Sequence, residues 1–236
     1  MDANHLSKRL TAVAQNVPQG ARLADIGSDH AYLPAALIIN QRISYAIAGE
    51  VVQGPFENEQ KEIIRLGLQK SLIPRLADGL AAIKPEDKID TVTIAGMGGS
   101  LIAKILDEGQ AKLAGVTRLV LQPNVGENRV RAWLMNHQYQ IQKEQILKED
   151  HHTYEVIVAE PTVCPVRYGA KELLFGPLLL EQSSEIFNQK WQAELKRCEQ
   201  TINQMQKAKT IPEDHLQLVK QKMALIKEVI PDDYWN

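Results

Sequence analysis

Short apolar runs alternate with amphipathic segments along the first two thirds of the chain. The apolar runs cover residues 21–26, 43–50, 73–77, 89–95 and 118–122. Between them, apolar residues recur at helical spacing over about 31–40, 53–68, 101–107 and 129–137. This alternation predicts an α/β fold whose βαβ units build a mainly parallel sheet with helices on both faces.

Two more predicted strands follow, over residues 145–149 and 154–159. Only Asp150-His151-His152-Thr153 separates them, which is typical of a hairpin, so the sheet should contain one antiparallel strand. A further helix is predicted over residues 5–16, ahead of the first strand.

The pattern changes after a linker at residues 161–169, which contains two prolines and a glycine. Apolar residues then recur at spacings of three and four and form two seams, one on each side of an interruption around Thr210–Asp214. Their members are Phe187, Trp191, Leu195, Cys198, Ile202 and Met205, and then Leu216, Val219, Met223, Ile226 and Ile230. Such seams predict an antiparallel coiled-coil hairpin. We therefore expect two domains, at residues 1–163 and 164–236.

Composition is that of an ordinary globular protein, with 236 residues, 44% hydrophobic and 24% charged, and a formal net charge of −2. No global field attracts nucleic acid, so any RNA binding must be local. Lys8 and Arg9 form one local basic group, which could be a solvated helix face or a set of phosphate contacts. Lys207, Lys209, Lys220 and Lys222 surround the predicted hairpin tip, where they could form a solubilising face or a nucleic-acid-binding arm.

Cys164 and Cys198 are too far apart in sequence for a zinc-type pair, and His151-His152 has no third ligand at useful spacing. We expect no metal. No apolar run approaches the length of a membrane span and no signal-like segment opens the chain, so a cytoplasmic protein is the default expectation.

The first strand leads into the turn Gly27-Ser28-Asp29-His30, where α/β nucleotide folds bind ligands. A dinucleotide fingerprint starting at Gly27 would require glycines at positions 29 and 32, which are Asp29 and Tyr32. A carboxylate there would repel a pyrophosphate but could tolerate a ligand that has a positive centre and no phosphate. S-adenosylmethionine is such a ligand.

The next strands end in side chains suited to the same ligand. Glu50 closes the second strand, where an acid can accept hydrogen bonds from both ribose hydroxyls or simply face a helix start. Asp78-Gly79 follows the third strand and could accept a hydrogen bond from an adenine amino group. After the fourth strand, the glycines of Gly96-Met97-Gly98-Gly99 predict an opening, and Asn124 follows the fifth.

The ordered motifs DIGSDHAYLP (25–34), GEV (49–51), DGL (78–80), AGMGG (95–99) and LQPN (121–124) resemble one family. It is the bacterial tRNA adenine-N1 methyltransferases of the TrmK type, which act at tRNA position 22, and the resemblance covers essentially the whole chain. It implies a class I Rossmann-like methyltransferase sheet with a coiled-coil extension, S-adenosylmethionine as cofactor and tRNA as partner. The cofactor-binding residues expected are Asp25, Gly27, Ser28, Asp29, Glu50, Val51, Asp78, Gly79, Ala95, Gly96, Met97 and Gly98.

The predicted catalytic residues follow from the chemistry of adenine N1. Its lone pair is free at neutral pH, so no general base is needed, and attack places positive charge on the ring. Asp29 is expected to offset that charge or orient the base, while His30 and Asn124 are candidates for base contact. Residues 95–98 are Ala-Gly-Met-Gly instead of the Asn-Pro-Pro-Tyr motif of many amino-directed methyltransferases. Two rival functions remain at this stage, a nicotinamide-dependent oxidoreductase and a non-catalytic scaffold.

Overall fold

The computed structural model describes residues 3–206 and 213–234. It divides into two compact units, the first ending at Leu174 and the second beginning at Phe175. The division falls eleven positions after the predicted boundary at residue 163. This division is structural. The functional division at residue 163, between cofactor binding and RNA binding, stays a prediction.

The first unit contains a seven-stranded sheet. Its strands are β1 Arg22–Ile26, β2 Tyr45–Glu50, β3 Leu72–Leu76, β4 Thr91–Gly98, β5 Arg118–Val125, β6 Tyr139–Glu149 and β7 His152–Pro161. Their order is β3-β2-β1-β4-β5-β7-β6, and β7 runs antiparallel to both of its neighbours. The predicted α/β sheet with one antiparallel strand is therefore confirmed. Consecutive buried residues occupy Leu23–Ile26 of β1 and Thr91–Ile94 of β4, because helices cover both faces of the sheet.

The helices are α1 Lys8–Gln15, α2 Tyr32–Ile39, α3 Gln53–Arg65, α4 Gly99–Glu108, α5 Glu127–Asn136, α6 Ala170–Phe175, α7 Pro177–Gln182, α8 Glu185–Gln206 and α9 Glu213–Lys227. The helices α6 and α7 were not predicted, since each is only six residues long and too short to show a period. Strand β6 begins at Tyr139 instead of residue 145. An irregularity between Ile141 and Lys143 breaks its two-residue alternation, which hid this part of the strand.

The second unit contains α8 and α9, which pack side by side. The two helices are antiparallel, as one contact shows: the Tyr234 hydroxyl, beyond the end of α9, donates a hydrogen bond to Glu185 at the start of α8. The inner face buries the predicted α8 seam residues Phe187, Trp191, Leu195 and Cys198. The predicted helical hairpin is present, whereas its coiled-coil twist stays a prediction. Lys207, Lys209 and residues 210–212 of the predicted break at Thr210–Asp214 lie outside the described residues. The last two residues of that break, Glu213 and Asp214, instead begin α9.

No helix within residues 3–206 and 213–234 has the length and hydropathy needed to cross a membrane.

Candidate active site

The strand-end motifs meet at one edge of the sheet. Strands β3, β2, β1, β4 and β5 are parallel neighbours, so their carboxyl ends lie side by side. Ile26 is paired with both Gly49 and Ile94, and Ala95 is paired with Gln122. The turn after β1 therefore lies between Glu50 on one side and the glycine-rich segment on the other. This is the position at which open α/β sheets bind ligands.

The turn after β1 requires glycine at its first position. Gly27 has φ +68°, and its N–H donates to Gly49 O at 2.8 Å. A Cβ atom added there would lie 1.9 Å from Met97 Cε, because the Met97 side chain packs onto the turn. Gly27 is thus required by its positive φ, and the contact shows that the flexible end of the Met97 side chain is a neighbour of the turn.

The next residues of the turn adopt a rare backbone conformation. His30 and Ala31 have φ of +56° and +54°, values that cost free energy for residues with a side chain and that often occur at functional sites. The Asp29 side chain is 80% exposed, and its Oδ1 lies 3.5 Å from His30 Nε2. The His30 ring stacks on Tyr32 with centroids 5.2 Å apart. Both side chains are accessible to a ligand at this edge.

Asp25 lies beneath the turn. Its carboxylate is buried and accepts a 2.5 Å hydrogen bond from Thr93 Oγ1. Burial raises the pKa of Asp25, while the hydroxyl groups of Thr93 and Ser28 oppose that rise. The position suits a group that organises the turn from below more than one that touches a ligand directly.

One carboxylate oxygen of Glu50 binds the backbone at the start of α3, and the other oxygen remains available to a ligand. Glu50 Oε1 accepts from the N–H groups of Val51 and Val52, both at 2.8 Å, which anchors the start of α3. Its Oε2 has no hydrogen-bond partner within the described part of the chain. Val51 beside it is 59% exposed. The helix-start role and a ligand-binding role are therefore compatible.

Asp78 is exposed after β3, at the same edge. The adjacent Gly79 has φ +50°, and a Cβ atom added there would meet Ile105 Cγ2 at 3.0 Å. Its positive φ and its packing against Ile105 together account for this glycine.

The glycines at the end of β4 and the start of α4 serve three different purposes, which corrects the prediction of one common opening. A Cβ atom at Gly96 would lie 3.3 Å from Arg9 Nη1, and one at Gly99 would lie 2.1 Å from Gly126 O. A Cβ atom at Gly98 would meet nothing within 4 Å, and Gly98 has an ordinary extended backbone. Gly98 is the member of the set that the protein's own packing does not require.

A polar network adjoins the glycines, and the sequence did not predict it. Gln122 Oε1 accepts from Arg9 Nη1 at 2.6 Å and from Gly96 N at 3.0 Å. Asn124 Nδ2 donates to Gly96 O at 2.8 Å, and the Arg9 guanidinium lies 5.5 Å from the centre of the Tyr154 ring. Arg9 is thus bound at the site instead of lying on a solvated helix face.

Arg9 reaches the network because of a contact far away in sequence. The carboxylate of Glu149, at the end of β6, accepts from the backbone N–H groups of Lys8 at 2.6 Å and Arg9 at 3.2 Å. An acid at a helix N-terminus is favoured by the helix dipole. No local motif signals a contact between residues 9 and 149, so sequence reasoning had no means of finding it.

The residues described contain no group of three or more side chains suited to hold a metal ion. His151 lies in the turn between β6 and β7, and His152 is the first residue of β7; both are exposed.

Comparison with known proteins identifies the family. Residues 23–228 match the family model of TrmK, tRNA (adenine(22)-N(1))-methyltransferase. The chain is 42% identical over 236 residues to a Bacillus subtilis tRNA (adenine(22)-N(1))-methyltransferase, covering 98% of this chain and 99% of that protein.

Solved structures agree with this match. A Streptococcus pneumoniae protein in complex with S-adenosyl-L-methionine has 44% identity and a TM-score of 0.88, covering 96% of this chain and 100% of the other. M. capricolum TrmK, bound to S-adenosyl-homocysteine, has 26% identity and a TM-score of 0.84, covering 98% of this chain and 99% of the other. The fold, the clustered strand-end motifs and the full-length match together show that this chain belongs to the TrmK family of tRNA (adenine(22)-N(1))-methyltransferases.

Proposed function

We propose that this protein transfers a methyl group from S-adenosylmethionine to N1 of adenine 22 in tRNA. The observation that carries the proposal is the 42% identity with the Bacillus subtilis enzyme over nearly the whole of both chains. Family membership favours this activity over a nicotinamide-dependent oxidoreductase and over a non-catalytic scaffold. Its substrate implies a cytoplasmic location.

The site fits S-adenosylmethionine through charge and shape. Asp29 and Glu50 place carboxylates at the sheet edge, which suits a cationic ligand without phosphate. Glu50 Oε2 is the oxygen that we assign to the ribose hydroxyls, and Asp78 is assigned to the adenine amino group. The exposed Val51 side chain would cover one face of the adenine ring, and Gly98 would allow close approach of the ligand to the backbone.

The residues of the site have to orient the target base and stabilise the positive charge that develops on it. When bound, S-adenosylmethionine supplies an electrophilic methyl group on a positively charged sulfur. We assign Asp29 to stabilising the positive charge that develops on the adenine ring, since its exposed carboxylate lies at the edge of the site. His30 and Asn124 are assigned to base contact. Asn124 is held in place by Gly96 and Gln122, which limits its movement.

A methylation assay tests the proposed function directly. The protein is incubated with radiolabelled S-adenosylmethionine and an unmodified tRNA transcript, and the nucleosides are then identified. We expect 1-methyladenosine, and we expect no incorporation into a transcript in which guanine replaces adenine 22. Equal methylation of both transcripts, or no methylation of either, would overturn the proposal.

The open space at Gly98 leads to a prediction for cofactor binding. Gly98→Ala should raise the Kd for S-adenosylmethionine about tenfold or more, because the added methyl group would occupy space assigned to the ligand. The stability of the protein should change little, since the methyl group meets no protein atom within 4 Å. Isothermal titration calorimetry and thermal unfolding measure the two effects.

Gly115→Ala is the matched control. A Cβ atom there makes an ordinary 3.6 Å contact with Ile89 O, before β5 and away from the strand-end motifs. Its cofactor Kd should equal that of the parent. If Gly98→Ala binds the cofactor as well as Gly115→Ala does, Gly98 is not part of the cofactor site.

We also propose that residues 1–163 bind the cofactor while residues 164–236 help to hold tRNA, together with Lys8 and Arg9. Lys8 and Lys220 are exposed. Lys222 is a weaker candidate for RNA contact, because its Nζ lies 2.5 Å from Glu194 Oε1. Lys207 and Lys209 complete the proposed basic tip.

The double variant Lys8→Ala, Lys220→Ala should weaken tRNA binding by several-fold and flatten its salt dependence, because each lost phosphate contact removes about one unit from the slope. Filter binding at several salt concentrations measures this, and cofactor affinity should not change. Lys70→Ala is the control, since Lys70 is exposed just before β3, at the opposite edge of the sheet. A salt slope identical to that of Lys70→Ala would remove both lysines from the tRNA-binding surface.

A further inference from the structure

A buried carboxyl group lies behind the turn that follows β1. Glu59 is on α3, and its side chain is fully buried, although Glu57, Asn58 and Gln60 around it are exposed. Neither of its oxygens has a hydrogen-bond partner within residues 3–206 and 213–234. An unpartnered carboxyl group in a protein interior is costly, so its presence calls for a physical reason.

A second unpartnered polar atom lies next to it. The Ser28 hydroxyl is also buried and makes no hydrogen bond of acceptable geometry within the described part of the chain. It is close enough to both Glu59 and Asp25 to favour the ionised form of either carboxyl group. Ser28 belongs to the turn between Gly27 and Asp29, so the pair lies directly under the segment assigned to the cofactor. We call Glu59 and Ser28 the buried pair.

The remaining groups that face Glu59 are acids. Asp25 on β1, Glu50 on β2 and Asp29 in the turn all act on its charge. Burial is the largest cause of a rise in the pKa of Glu59 to about 8, and repulsion by Asp25 and Glu50 adds to it, while Ser28 opposes it. At neutral pH, Glu59 is therefore mainly protonated in the free protein.

We propose that Glu59 is a positioning residue whose carboxyl group, through Ser28, responds to the positive charge of bound S-adenosylmethionine and gives up a proton when the cofactor binds. This inference rests on the proposed function. A cation placed among Asp25, Asp29 and Glu50 offsets the repulsion that these acids exert, so the ionised form of Glu59 becomes favourable. The proton passes to solvent, and the resulting carboxylate can accept a hydrogen bond from Ser28.

The charge of the ligand then determines how strongly binding favours the ionised form of Glu59. S-adenosylmethionine has a sulfonium charge that S-adenosyl-homocysteine lacks, so only the methyl donor gains the full attraction of the ionised acids. The buried pair would thereby favour the donor over the product, and more strongly as pH rises through 8. The pair contributes selectivity without touching the reacting atoms.

Proton release on binding is the measurement. Calorimetric titrations of the full-length protein with S-adenosylmethionine at pH 7.5, in buffers of different ionisation enthalpy, give the number of protons released. The ligand's own amino group also titrates at mildly alkaline pH, so the parent is compared with Glu59→Gln, which keeps the shape and removes the titration. We expect the parent to release about 0.5 proton more than the variant does. Between pH 6 and 9, the parent's affinity should rise about tenfold more than that of the variant.

The control and the opposing outcomes separate this inference from the proposed function. Glu57→Gln, two positions away and exposed, should release as many protons as the parent. Equal release by the parent and Glu59→Gln would overturn the role of Glu59 and leave the proposed function standing. Absence of S-adenosylmethionine binding to the parent would overturn the proposed function, and this inference with it.

A second measurement needs no ligand. The pKa of Glu59 is raised in the folded state above its ordinary value of 4.5, so folding favours the protonated form. Any stabilisation from this group is complete below pH 4.5 and is lost as pH rises towards 8. The stability of Glu59→Gln relative to the parent should therefore increase over this interval. A constant difference across it would show that Glu59 does not titrate as proposed.

Discussion

Replacing Arg131 with methionine is expected to lower the free energy of unfolding of the sheet unit by about 3–5 kcal/mol, the usual cost of removing one partner from a buried ion pair. Arg131 on α5 is fully buried, as are Glu144 on β6 and Glu155 on β7. Its Nε lies 2.8 Å from Glu144 Oε1 and its Nη2 lies 2.5 Å from Glu155 Oε2. Without the guanidinium, two carboxyl groups would share an interior that has lost its positive charge.

Chemical denaturation and thermal unfolding measure this effect. For a unit of this size, a loss of this order lowers Tm by roughly 10 °C. Arg65→Met is the matched control, because Arg65 on α3 is 61% exposed and pairs with Glu62 three positions away. An exposed pair is worth at most about 1 kcal/mol. Equal stability of Arg131→Met and Arg65→Met would show that the buried ion pairs do not hold α5 to the β6–β7 hairpin.

Asp29→Asn is expected to lower kcat by about 10²–10³-fold, the range found when a group that stabilises transition-state charge is removed. The substitution preserves size and removes the negative charge at the sheet edge. The Kd for S-adenosylmethionine should change far less, because Glu50 and the backbone of the turn remain. Single-turnover methylation at saturating cofactor and tRNA measures the chemical step apart from binding.

Glu86→Gln is the control for Asp29→Asn. Glu86 is an exposed acid in the segment before β4, at the opposite edge of the sheet, and its loss should leave kcat unchanged. If Asp29→Asn raises the cofactor Kd and retains normal turnover, Asp29 is a binding residue without a catalytic role.

The sequence alone determined the fold class and predicted the place of the cofactor site. Runs such as Ile89–Ala95 are short and rich in β-branched residues, and helical segments separate them, which is the pattern of strands in a mainly parallel sheet. Parallel strands bring their carboxyl ends to one edge, so the sequence predicts that Glu50, Asp78 and Asn124 lie at one site. Asp29 in the first turn pointed to a cationic ligand by charge alone.

The same reasoning could not assign a purpose to each residue of the site. Gly96, Gly98 and Gly99 are the same residue type, but their surroundings differ. Gly96 faces Arg9, Gly98 faces open space, and Gly99 contacts the backbone of Gly126. The Arg9–Gln122 contact joins residues 113 positions apart. These outcomes depend on the packing of distant segments, which local patterns do not encode.

Glu59 illustrates the difference between what sequence periodicity predicts and what tertiary packing determines. Its position four residues before Ile63 placed it on the inner face of α3, but a charged residue there would ordinarily be interpreted as exposed. The tertiary structure decided that it is buried behind the Ser28 turn, among Asp25, Asp29 and Glu50. Periodicity determines which face of a helix a residue occupies, whereas burial and the charges of neighbours, and hence its protonation state, are determined only when the whole chain is packed.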